Sequence, residues 1–186
     1  MTGWPMSGWS RIARRIRVPV GFAFAAFYLW RARPSWACMA TGGVIVVIGI
    51  ALRAYASGYL RKATELTTTG PYAYTRNPLY LGSLIIAAGF TLAARSLWIA
   101  LAMALIFIAI YLPVISDEEQ FLRLQFPGFD EYARRVPRLL PKLSVAAGPR
   151  GEFSLPLYLK HREYNAALGA AAVMAALIFK LLWLSR

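Results

Sequence analysis

Five apolar runs, at residues 18–30, 36–55, 79–94, 97–116 and 166–184, alternate along this chain with short polar or turn-forming segments. Four of them approach or reach the roughly 20 residues that a membrane-crossing helix needs. The first is shorter and reaches that length only when flanking arginines snorkel and extend it to about residue 33. Arg95-Ser96 alone separates the third and fourth runs, which predicts a tight antiparallel hairpin whose outer ends return to one membrane face. Gly42 and Gly43 in the second run, with Gly82 and Gly89 in the third, allow close helix approach, within a bundle or between chains. The pattern predicts an all-α integral membrane protein, a bundle of about five transmembrane helices built as one domain over residues 1–186.

The polar segments supply the punctuation. Residues 53–77 are mixed and contain Gly70-Pro71, a step that favours a loop. Asn77-Pro78 reads as an N-cap followed by a first helical residue, so a helix begins there. The fourth run is expected to continue as helix through Asp117 to about Leu124, kinked at Pro113, until Phe126-Pro127-Gly128 ends it. A basic, aromatic stretch at 130–141, a linker at 148–151 and an amphipathic segment at 155–164 suited to the membrane interface precede the last run.

Composition agrees with this class. Of 186 residues, 59% are hydrophobic and 16% charged, and no room is left for an ordinary soluble domain. The formal charge of +13 does not point to nucleic acid, because a DNA-binding face is not embedded among spanning runs; anionic lipid and membrane orientation account for it. With the N-terminus in the cytoplasm, 16 of the 21 basic residues fall on the cytoplasmic side, and Arg31, Arg33, Arg95, Lys180 and Arg186 on the other. This asymmetry predicts N-in, C-out, with the chemistry facing the cytoplasm, where all eight acidic residues also fall. Arg11, Arg14, Arg15 and Arg17 before a short apolar run imitate a signal peptide, but no small-residue cleavage site follows Trp30, and the run reads as a retained first helix. One cysteine, Cys38, and one histidine, His161, offer no metal cluster at useful spacing and no intrachain disulfide.

The hairpin geometry brings two chemical groups toward one membrane face. The helix start at Pro78, with Arg76 beside it, suits a carboxylate or phosphate. Asp117-Glu118-Glu119 stands at the far end of the hairpin and suits a cation or hydroxyl donors. A zwitterionic ligand would fit the pair. The plain alternatives are a well-capped helix and, for Glu119, a solvated i,i+4 contact with Arg123; Glu118 has Leu122 at that spacing and is the better binding candidate.

Four blocks in order carry a resemblance: L-R-A-Y-A at 52–56, G-P-Y-A-Y-T-R-N-P-L-Y-L-G at 70–82, D-E-E at 117–119 and F-P-G-F-D-E-Y-A-R-R-V-P-R-L-L-P at 126–141. Over a core of residues 53–141 the chain resembles the isoprenylcysteine carboxyl methyltransferase and phospholipid methyltransferase superfamily of small membrane enzymes. That resemblance implies a pocket for S-adenosylmethionine formed by Tyr72, Arg76, Asn77, Pro78, Tyr80 and Gly82 together with Glu118 and Glu119. The best-known pattern has His where this chain has Asn77, which removes a titratable group and leaves capping and hydrogen bonding. The implied reaction is methyl transfer to a lipophilic acceptor from the bilayer, either the carboxylate of a prenylated cysteine or the amine of a phospholipid. A carboxylate acceptor needs an arginine and dry surroundings, an amine a proton acceptor. Arg53 and Arg135, the latter preferred over Arg134, are the catalytic candidates on the acceptor side; interface anchoring and anionic lipid are the competing fates of these arginines. Tyr72, Tyr74 and Tyr80 also suit the membrane interface, and His161 a solvated or lipid-contacting place.

Two other functions fit the same features. A nicotinamide-dependent reductase of the sterol-reductase type would place phosphates at the Pro78 helix start, though the acidic triplet repels them and the chain is short for that family. A membrane scaffold or lipid-binding protein would keep the motifs as structure alone. Oligomeric state is not legible.

Overall fold

In the computed structural model residues 8–61, 64–142 and 151–184 are described. Lys62, Arg150 and Arg186, counted in the charge asymmetry, and most of the linker at 148–151 lie outside them, as do the side chains of Arg11, Arg14 and Arg17. Regular structure among the described residues is helical throughout: α1 Gly8–Arg31, α2 Trp36–Ser57, α3 Pro78–Ala94, α4 Leu97–Gln125, α5 Phe129–Arg135, α6 Leu155–His161 and α7 Tyr164–Leu184. A 3-10 turn, Gly70–Ala73, interrupts the loop before α3.

Each of the five apolar runs is a helix, but three of those helices are by themselves long and apolar enough to cross a membrane: α2, α4 and α7. Helix α3 has 17 residues and, at about 1.5 Å per residue, covers somewhat less than a hydrocarbon core of about 30 Å. Helix α1 is long enough at 24 residues, yet its first half carries arginines. It also starts ten residues before the apolar run at 18, because Ile, Ala and Arg are adequate helix formers and no turn signal stops them.

Helix α4 runs on through the acidic triplet to Gln125, as the residues past Ser116 imply, and ends just before Phe126-Pro127-Gly128. Its irregularity is a π turn at Phe107–Tyr111, where the Leu112 N–H donates to the Phe107 carbonyl. Pro113 explains the location. Having no N–H, it cannot donate to the carbonyl four residues back, and that residue, Ala109, lies in the middle of the π turn.

The chain divides into two compact units, the first from Met1–Val44, Ala87–Phe121 and Ala172–Arg186, the second from Ile45–Ile86 and Leu122–Ala171. Helices α2, α3, α4 and α7 contribute to both.

In the first unit α1 packs on the first part of α4. The Tyr28 hydroxyl donates to the Phe90 carbonyl at 2.8 Å with the two rings edge-on, and the Arg33 N–H donates to the Ala94 carbonyl at 2.8 Å. These contacts fasten the α1–α2 turn to the α3–α4 turn, where Arg95 takes a left-handed conformation at φ 50°. Lys180 of α7 donates to the carbonyls of Leu29 and Trp30. A Cβ on Gly42 would stand 2.5 Å from the Gly89 carbonyl oxygen, so α2 and α3 meet backbone to backbone there.

The second unit repeats that device about two turns further along α2. A Cβ on Gly49 would lie 2.7 Å from the Gly82 carbonyl oxygen. In the same unit, α5 and its C-cap Val136 bury Phe129, Tyr132 and Val136 against Leu66 and Leu122, and the segment after residue 150 lays Phe153 against Tyr55, Tyr59 and Gly58.

Candidate functional site

Two of the sequence blocks are fastened together strand-like, without a strand, in the second unit. Arg76 N–H donates to the Pro137 carbonyl at 2.9 Å, and Lys142 N–H to the Tyr74 carbonyl at 2.9 Å. Thr75 Oγ1 donates to the carbonyls of Leu139 and Arg138 at 3.0 and 3.2 Å, and Asn77 Nδ2 donates to the Arg138 carbonyl at 3.0 Å. From below, the Tyr132 hydroxyl donates to the Tyr72 carbonyl at 2.7 Å. The block at 70–77 is therefore held by residues 132–142, some 60 positions away in sequence. Prolines at 71, 78 and 137 suit this arrangement, since each removes an N–H that would otherwise need a partner.

Helix α3 begins at Pro78, fully buried, and the Asn77 carbonyl accepts the first helical bond from Leu81 N–H at 3.0 Å. The start read from Asn77-Pro78 is the observed one. Tyr72 and Asn77 are buried, whereas Arg76 and Tyr80 are half-buried and each interacts with neighbouring groups. Gly82 is explained by packing. A Cβ there would stand 2.6 Å from Cγ of Arg53 and 2.9 Å from the Gly49 carbonyl oxygen.

Arg53, the half-buried cation near the end of α2, is fully committed. Its Nε donates to Oε2 of Glu163 at 2.9 Å and its Nη2 to Oε1 at 3.0 Å, the two-pronged geometry that suits guanidinium and carboxylate. Nη1 donates to the Leu79 carbonyl at 3.1 Å and to Ser83 Oγ. One side chain thus links α2, the first turn of α3 and the residue just before α7. His161 Nδ1 lies 3.1 Å from the Ser57 carbonyl, which places it against α2.

Glu163 was not singled out from sequence. With five alternating spans, the end of the second and the start of the fifth lie on one face, and Glu163 is the acidic residue next to the latter, though Arg162 beside it obscures the pairing with Arg53.

Arg135 is 71% exposed and pairs at 3.0 Å with Glu131, itself 65% exposed, one helical turn away. Arg134 is likewise exposed. The fold brings neither into the cluster around Asn77.

The acidic triplet belongs to the first unit. Asp117 is 7% and Glu119 5% exposed, so Glu119 is not the solvated residue of a simple surface pair; Arg123 forms its ion pair with Asp130 at 2.7 Å. Successive helical residues are about 100° apart. Burial at 117 and at 119 puts half-buried Glu118 at the centre of the inward arc, opposite exposed Gln120. Glu118 and Glu119 are both engaged in polar interactions, while the buried Oδ2 of Asp117 has no hydrogen-bond partner among the described residues.

The sequence pattern of the family described as Phospholipid methyltransferase matches residues 35–127, half of the chain. The chain belongs to that family. Its match begins at α2 and takes in the whole Asn77–Gly82 block and the acidic triplet. Among curated proteins, the nickel-cobalt-cadmium resistance protein NccN of Alcaligenes xylosoxydans xylosoxydans is 44% identical over 91 residues, 49% of this chain and 42% of that protein. The cobalt-zinc-cadmium resistance protein CzcN of Cupriavidus metallidurans is 39% identical over 113 residues, 61% of this chain and 50% of that one. The chain therefore spans about half the length of the curated relatives it matches. No solved structure matches it. As a phospholipid methyltransferase family member with three helices of membrane-crossing length, it is an integral membrane protein.

Proposed function

We propose that this chain transfers a methyl group from S-adenosylmethionine to a lipophilic acceptor that reaches it from the bilayer. The observation that carries the reading, beside the family match, is the burial of carboxylates at 117 and 119 just past the apolar run of α4, a helix of membrane-crossing length. Buried carboxylates are expensive unless donors or cations meet them, and groups kept at that cost mark function.

The residues fit the proposed cosubstrate. It carries a carboxylate, an ammonium and ribose hydroxyls. Glu118 and Glu119 supply acceptors for the last two, and Arg76 with the α3 N-terminus supplies donors for the first. Tyr72, Asn77, Pro78, Tyr80 and Gly82 complete the set that the family resemblance implies, with Asn77 and Gly82 in shaping roles through the Arg138 carbonyl and Arg53. When bound, S-adenosylmethionine supplies a methyl carbon made electrophilic by its sulfonium. The protein's own contribution is orientation and exclusion of water. On the acceptor side Arg53, held by Glu163, acts as a positioning residue, and exposed Arg135 meets the head group. The acceptor is a lipid or a lipidated small molecule or peptide, and the reactive face is cytoplasmic. In this reading a resistance phenotype of the kind for which NccN and CzcN are named arises from altered lipid.

Calorimetry on detergent-purified protein tests the reading with S-adenosylmethionine, S-adenosylhomocysteine and NADPH, and with Glu118→Gln as the comparison. Binding of the first two, weakened by the substitution at unchanged melting temperature, is the expected result. Binding of NADPH alone would transfer the chain to the reductases, and binding of none by folded protein would make it a scaffold.

A further inference from the structure

Asp117 stands apart from the other described carboxylates, of which Glu152 is exposed and the rest are paired or engaged. Glu163 accepts from Arg53, Asp130 from Arg123, Glu131 pairs with Arg135 and Glu65 with Arg61. Glu118 and Glu119, the pair that the family resemblance assigns to the cosubstrate, are both engaged. Asp117 is more than nine-tenths buried, and its Oδ2 is shielded from solvent without a donor among the described residues. Its position along α4 is not accidental either. Residues 110, 114 and 117 follow one another at i, i+4 and i+7, and all three are buried, so Asp117 continues an inward stripe that Ile110 and Val114 begin. An apolar residue would serve that stripe better. A carboxylate oxygen kept there without a partner lowers stability, and such groups persist where chemistry uses them.

We propose that Asp117 is the proton acceptor of the methyl transfer. The inference rests on the methyltransferase reading above and gives Asp117 a role that reading leaves unassigned. A nucleophile that arrives bearing a proton, such as a lipid amine, must lose it to attack, whereas an ionised carboxylate has none to lose and would be repelled by a second buried carboxylate. In the transfer the acceptor nitrogen bonds to the methyl carbon, the carbon–sulfur pair returns to sulfur, and the nitrogen's proton passes to Asp117 Oδ2 and then to water as product leaves. Glu118 and Glu119, already engaged, are left to binding.

The test uses full-length protein in detergent or lipid nanodiscs, with Asp117→Asn and Asp117→Leu beside the wild type. The probes are phosphatidylethanolamine vesicles and N-acetyl-S-farnesylcysteine, with labelled S-adenosylmethionine. Asp117→Asn is expected to bind S-adenosylmethionine within about threefold of wild type and to lose about 10²–10⁴-fold in kcat/KM for the amine, the usual contribution of a positioned base. Its residual rate should rise about tenfold per pH unit while free amine becomes available, a dependence that wild type lacks. Asp117→Leu should melt no lower than wild type, since it removes an unpaired buried carboxylate. Wild-type turnover and pH profile in Asp117→Asn would overturn the proposal, as would parallel loss of cosubstrate binding or a lower melting temperature for Asp117→Leu. A wild-type protein that binds S-adenosylmethionine and leaves the amine unmethylated overturns this inference alone; one that does not bind it overturns the reading beneath.

Discussion

The Arg53–Glu163 pair offers the sharpest energetic prediction, because its two ends lie 110 residues apart and its setting is neither core nor surface. The side chains are 22% and 13% exposed, and the guanidinium meets both carboxylate oxygens, at 2.9 and 3.0 Å. Breaking a fully buried pair by removing one partner costs about 3–5 kcal/mol, and an exposed pair is worth about 0–1 kcal/mol. With roughly a fifth of the pair still in contact with solvent, a coupling of about 1.5–3 kcal/mol is expected. Single substitutions do not isolate it, since Arg53→Met also strips Leu79 and Ser83 of a donor. A double-mutant cycle with Glu163→Gln removes that contribution, because the loss appears on both edges. The assay is denaturant unfolding in mixed micelles followed by tryptophan fluorescence. Arg135–Glu131, at 71% and 65% exposure, serves as the internal reference and should couple by about 0.5 kcal/mol or less. Equal coupling in the two pairs would refute the reasoning, and would mean that the second unit is not held through Arg53.

Three further substitutions probe the packing and the stitched loop. Gly49→Ala places a Cβ at 2.7 Å from both the Gly82 carbonyl oxygen and Ile86 Cγ1, with backbone on one side, and should destabilise by about 1–3 kcal/mol. Gly43→Ala meets only the end of Met174, at 3.5 Å, and should be near neutral in the same unfolding assay. Tyr132→Phe strands the buried Tyr72 carbonyl and should cost about 1–2 kcal/mol, with faster amide hydrogen exchange at Arg76 as the local sign that the two stitched segments have loosened.

What the sequence makes legible is local. Asn77-Pro78 and Phe126-Pro127-Gly128 mark helix ends because Pro and Gly act on their own backbone and need no distant partner, and Arg95-Ser96 marks one as the polar break between two apolar runs. The N-terminal arginines mislead about the start of α1 for the converse reason: charge is compatible with helix, and polarity alone is no stop signal. The amphipathic segment at 155–164 resolves into α6, capped by Ser154 Oγ accepting from Leu157 N–H, and ends at Arg162 with φ 54°. Nothing in the sequence shows Thr75, Arg76 and Asn77 bonding to residues 137–139, because every acceptor in those bonds is a backbone carbonyl, which carries no residue code. The π turn was half-legible: Pro113 announces a disturbance in α4, and its form depends on how the carbonyl of Ala109 is accommodated.

The stitched loop changes how the family motif should be interrogated. Pro78 and Gly82 have complete explanations in packing, the one as a buried helix start and the other as the space through which the Arg53 stem passes. Asn77 is anchored through its amide to the Arg138 carbonyl, and Tyr72 through its carbonyl to Tyr132. A loss of cosubstrate binding on substituting Asn77, Pro78 or Gly82 follows from displaced backbone whether or not the residue touches a ligand, whereas the Tyr72 carbonyl survives substitution of its side chain. Charge is a better discriminator than shape. Glu118→Gln and Arg76→Ala remove charge and leave the Gly49–Gly82 contact in place, so a binding loss at unchanged melting temperature in those variants speaks for the ligand. The same loss in Gly82→Ala speaks for two helices forced apart.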